Sequence, residues 1–122
     1  MIIGILAGIV PYFAVASIKP KLGYDDSLDA FGIHGVGGML GAVLTGIFAD
    51  PGVNELGKGL LFGNPGQLLT QLIAVGVTMV YSATATFVIF MILKAFVGLR
   101  VEEVHEISGL DESQHGERAY GF

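Results

Sequence analysis

The sequence predicts an all-α membrane protein, with three transmembrane helices followed by a polar tail. Two observations carry that assignment. Of 122 residues, 52% are hydrophobic and 14% are charged, against about 25% charged in soluble domains, and the mean hydropathy is +0.70. The apolar residues also fall in three charge-free blocks, residues 1–18, 30–49 (taking His34 as neutral) and 68–93. About 20 residues at 1.5 Å each cross the hydrocarbon of a bilayer. The competing explanation is a set of buried helices in a soluble core. It fails because three such runs leave too few residues to cover them.

The first block, residues 1–18, carries Pro11 in its middle, which a membrane helix tolerates where neighbouring groups satisfy the freed carbonyl. It lacks the basic start and small-residue cleavage site of a signal peptide. The chain opens inside an apolar run, as the later part of a longer protein would. Residues 19–29, KPKLGYDDSLD, form a polar loop. Asp26, Ser27 and Asp29 stand just before the second block, where carboxylates and hydroxyls cap free N–H groups and suit the helix dipole.

The second helix is expected over residues 30–49, and residues 50–67 read as a turn-rich loop. The third helix, residues 68–97, is about 45 Å long at 1.5 Å per residue. That exceeds the hydrocarbon thickness, so it tilts or projects. Gly98 ends it. Residues 98–122 are too polar for lipid. Within them, residues 101–107 suit a short helix stopped by Gly109, and Asp111 with Gln114 resembles a capping box. Two readings of this tail stand: a disordered acidic segment, or one that docks on a partner surface through Leu110, Tyr120 and Phe122.

Charge placement sets an orientation. Lys19, Lys21, Lys94, Arg100 and Arg118 fall on one side, and Lys58 alone on the other. The first loop and the tail are therefore expected to be cytoplasmic, and the 50–67 loop external. The net charge of -5 comes mostly from the tail, which speaks against nucleic acid. There is no cysteine, so disulfides and thiolate sites are excluded. No HExxH spacing, serine–histidine–acid set or phosphate loop occurs, so neither a metal, a cofactor nor an enzyme is expected.

His34 is the one ionisable side chain inside the second apolar block. On a helix it shares a face with Ala30, Phe31, Gly37, Gly38, Gly41 and Thr45. Gly38, Ala42 and Gly46 form a second small-residue stripe. Glycine at such spacing lets another backbone approach closely. The residues leave two readings open. One is tight helix packing with a single interhelical hydrogen bond from His34. The other is a ring lining a narrow path, since an ionisable residue within the membrane is a functional hypothesis by default.

The stretch DDSLDAFGIHGVGGMLGAVLTGIFAD, together with VGLRVEEVHEISGLDESQHGERAY, resembles the C-terminal end of an ammonium transporter of the Amt/Mep/Rh family, most like the bacterial members. The resemblance covers essentially the whole chain. It implies an eleven-helix fold, of which this chain supplies the last three helices and the cytoplasmic tail, in a homotrimer with one pore per subunit in the cell membrane. It makes His34 the second of two touching pore histidines. Ala30 lies one turn toward the cytoplasm, where the family often has a larger apolar pore residue. Gly37, Gly38, Gly41 and Gly46 become packing positions.

By the same resemblance, Asp25, Asp26 and Asp29 match the family's acidic cluster. Gly98, Leu99, Arg100, Gly109, Leu110, Asp111, His115, Gly116, Glu117 and Tyr120 match a regulatory tail under the trimer. A PII signalling protein is a candidate partner there. The implied function is ammonium or ammonia transport, with ammonium shedding its proton and ammonia passing the paired histidines. The first histidine, the external aromatic site, the phenylalanine gate and eight helices are not in this chain. The competing function is a three-helix membrane module whose acidic tail binds a cytoplasmic regulator and which conducts nothing alone.

Overall fold

The computed structural model describes residues 1–118 and 120. Those residues are helix, turn and loop without a strand. Three helices are long and apolar enough to cross a membrane: α1 (Ile2–Leu22), α2 (Phe31–Phe48) and α3 (Pro65–Phe96). The chain divides into two units, Met1–Val80 and Tyr81–Phe122.

In the first unit, α1 runs on through Lys19, Pro20 and Lys21 to Leu22, four residues past the end expected from hydropathy. Two prolines each remove a backbone donor. Between them Ala14–Ile18 widens into a π turn, and the Lys19 N–H reaches back five residues to the Ala14 carbonyl. The two lysines lie in the last turn, where positive charge suits the negative end of the helix dipole. Gly23, with φ 64°, ends the helix. Only a short turn then precedes α2.

The first turn of α2, Phe31–Gly35, is a second π turn, and it contains His34. The rest, Val36–Phe48, is regular α-helix. α1 and α2 pack antiparallel through glycine. A Cβ on Gly32 would stand 2.6 Å from Val15 Cγ2, and one on Gly37 would touch Pro11 Cγ at 3.5 Å. Pro11, Ala14, Gly32, Leu44 and Gly46 are the buried residues along these helices. On its other flank α2 meets the start of α3. A Cβ on Gly46 would lie 3.0 Å from the Leu68 Cα and 3.1 Å from Gln71 Cγ.

The connection folds back on the end of α2. The Gly59 N–H donates to the Ala49 carbonyl at 2.8 Å, and a Cβ at Gly59 would be 2.6 Å from the Ile47 carbonyl oxygen. Asp50 caps its own turn, its Oδ1 accepting from Gly52 N–H at 2.7 Å. A 3-10 turn at Leu60–Phe62 follows. α3 opens at Pro65, three residues earlier than expected. Proline suits a first turn, where the missing N–H has no intrahelical partner to lose.

In the second unit, the end of α3 closes at Leu93, whose carbonyl accepts from both Val97 N–H (2.8 Å) and Gly98 N–H (3.0 Å). Gly98 takes φ 89°. Helix α4 (Glu103–Ser108) follows, then Gly109 at φ 95° and a π turn over Asp111–His115. The capping box expected at Asp111 is absent. Leu110 is the N-cap residue, no side chain caps the turn, and Asp111 already lies inside it. The Asp111 carbonyl instead accepts from Glu117 N–H at 2.9 Å. Phe122, expected as an anchor, lies outside the described residues.

Candidate functional site

His34 is exposed, and so are Ala30, Gly38 and Thr45 along the same helix. A Cβ at Gly38 or Gly41 would meet nothing within 4 Å among the described residues. The imidazole makes no hydrogen bond within the described residues. Thr45 satisfies its own hydroxyl by donating to the Gly41 carbonyl at 2.8 Å. The result is a strip of α2 with one ionisable ring, small neighbours above and below, and, among the described residues of the first unit, no cover from α1 or the start of α3.

The small residues divide between roles. Gly37 turns toward Pro11 of α1 and not onto the His34 face. Gly46 receives Leu68, while Gly38 stays open. The reason is helical precession. Residues four apart drift by about 40° per step, so Gly38 and Gly46 point about 80° apart. A stripe at i, i+4, i+8 thus winds from the uncovered face onto a packed one.

A polar cluster sits beside the start of α2. The Asp26 carboxylate accepts from Ala30 N–H at 2.8 Å and Phe31 N–H at 3.0 Å. Lys19 Nζ donates at 2.5 Å to both the Asp26 carbonyl and Asp29 Oδ1. Asp29 holds φ 56°, a left-handed conformation uncommon outside glycine. Tyr24 meets Phe31 edge to face, with ring centroids 6.0 Å apart. Sequence reasoning found the Asp26 cap. It missed the Lys19–Asp29 pair, because ten residues and a reversal of the chain separate the partners and no spacing rule brings them together.

The tail is locally folded. Arg100 pairs with Glu106 at 3.5 Å and Arg118 pairs with Glu112. Ser113 Oγ donates to the Gly109 carbonyl at 2.8 Å. Gln114 Nε2 lies 3.5 Å from His105 Nδ1. Leu99, Leu110, His115, Glu117 and Tyr120 are exposed, and Gly116 ends the π turn at φ 66°. Among the described residues no group of three histidine or acidic side chains is placed to hold a metal ion.

Three helices of membrane length, one bearing an exposed imidazole among glycines, define a helical multi-pass membrane protein. The chain belongs to the ammonium transporter family: residues 1–120 match the profile described as Ammonium Transporter Family. It is 58% identical over 120 residues to the ammonium transporter of Aquifex aeolicus, covering 98% of this chain and 28% of that protein. It is 46% identical over 121 residues to the ammonium transporter of Bacillus subtilis, covering 98% of this chain and 30% of that protein. The ammonium transporter of Archaeoglobus fulgidus is 50% identical over 121 residues, again with 98% and 30% covered. The chain thus spans under a third of the length of these relatives.

Proposed function

We propose that this chain takes part in carrying ammonium nitrogen across the cell membrane, with His34 and Ala30 lining the path. One observation carries the reading: a chain of this family exposes an imidazole on the uncovered face of a membrane-length helix. A bare cation is costly in hydrocarbon, and neutral ammonia is not. A narrow apolar path past His34 therefore favours ammonium that sheds its proton at entry. Potassium, similar in size, has no proton to shed and is rejected by chemistry. A neutral imidazole offers one donor and one acceptor. Paired with a second ring it can pass a proton while ammonia moves on.

The remaining walls of the path come from membrane segments beyond this chain, which meet α2 at Gly38 and Gly41. Such segments assemble in a homotrimeric transporter, with the Lys58 loop external and the tail cytoplasmic. The tail from Gly98 onward is the regulatory surface, open to a PII signalling protein. The test is an ammonium pulse on vesicles that hold the whole transporter and an internal pH dye. His34→Ala should abolish ammonium flux or admit potassium, whereas His115→Ala should leave selectivity unchanged. Selective flux at the parental rate in His34→Ala would overturn the assignment.

A further inference from the structure

His34 does not stand on ordinary α-helix. It stands on the π turn Phe31–Gly35, which holds one more residue per turn than its neighbours. Relaxing that turn to α geometry would rotate the chain before it by about 100° relative to the chain after it. The direction of the ring therefore depends on what holds the two sides. The later side is held by Gly37 against Pro11 and Gly46 against Leu68.

The earlier side is held by three side chains from the preceding turn and from α1. Asp26 binds the Ala30 and Phe31 N–H groups at the mouth of the π turn. Lys19 Nζ ties the Asp26 carbonyl to the Asp29 carboxylate, each at 2.5 Å. The Asp29 carbonyl in turn accepts from Ile33 N–H at 2.9 Å, the residue before His34. Asp29 keeps its φ of 56° at a cost that only surrounding contacts can sustain. Lys19 is itself placed by the other π turn, through its N–H on the Ala14 carbonyl.

We infer that Lys19, Asp26 and Asp29 are positioning residues that aim the His34 imidazole by holding its π turn in place. None of the three touches the path. The consequence for transport rests on the reading of His34 given above, whereas the effect on the ring does not.

The test uses the whole transporter in lipid bilayers with ¹⁵N-labelled histidine, His34 being assigned by its loss in His34→Gln. Lys19→Met should shift the His34 ring resonances and lower ammonium flux per inserted protein roughly tenfold or more, the scale of a small misplacement at a reacting centre. Asp29→Asn, which tolerates the left-handed backbone but loses the charge, should do the same. It also serves should Lys19→Met not insert. Lys19→Arg should restore both readouts. Lys21→Met, an equal change of charge on an exposed neighbour, should alter neither. His34 resonances unchanged in both Lys19→Met and Asp29→Asn would overturn the inference. Absent flux in the unsubstituted protein would instead overturn the transport reading, and the ring resonances would still decide the role of the latch.

Discussion

α2 and α3 are both apolar enough to cross a membrane, yet they are built on opposite plans. α3 is 32 residues of uninterrupted α-helix with no buried residue. Its exposed apolar side chains surround it, from Leu69 through Val77 and Met79 to Phe90. That is the pattern of a helix in an apolar surrounding on all sides. α2 is shorter, begins with a π turn and buries glycines against both neighbours. It leaves exposed the strip that carries His34, Gly38 and Thr45. Hydropathy alone therefore marks both helices as membrane-length, while glycine placement and the π turn set α2 apart from α3. π turns inside α-helices are frequent at functional positions.

The largest effect is all-or-none. If α3 spans the bilayer, single cysteines at Glu55 and Ser113 label from opposite faces of sealed vesicles, and labelling from one face refutes the span. Next is Gly46→Leu. Its Cβ would press on the Leu68 backbone, so it should cost about 1–3 kcal/mol, the usual price of overpacking, in reversible unfolding from detergent micelles. An unchanged midpoint would mean that α2 and α3 do not meet there. Asp26→Ala removes the carboxylate that caps α2 and should cost about 1 kcal/mol, with faster amide exchange at Ala30 and Phe31. Gly76→Leu should not lower the unfolding free energy and should raise it by up to about 1 kcal/mol through helix propensity, because nothing lies within 4 Å of its Cβ position. A loss as large as that of Gly46→Leu would erase the distinction between the two helices.

The three helices and the all-α class are legible in the sequence, because charge-free blocks of membrane length have few other uses. Their ends are less so. Hydropathy stops α1 at Ile18, but backbone hydrogen bonding does not, and lysines in a last turn keep their charges at the helix end while their stems lie along it. The π turns leave no periodic signature. Asp111 reads as a cap by spacing, yet the turn begins one residue earlier and Leu110 occupies the cap position. In the candidate site, His34 stands out by chemistry alone. Its uncovered surroundings, the turn of Gly37 toward α1 and the Lys19–Asp29 pair are products of tertiary packing that linear spacing does not encode.

The most direct measurement is made on His34 itself. In the whole transporter, with ¹⁵N-labelled histidine in lipid bilayers, ammonium and potassium are titrated separately while the ring resonances are followed. A path lined by His34 predicts that ammonium moves the His34 resonances, leaves His105 and His115 in place, and that potassium moves none of them. His34 resonances indifferent to ammonium, or displaced equally by potassium, would contradict the account.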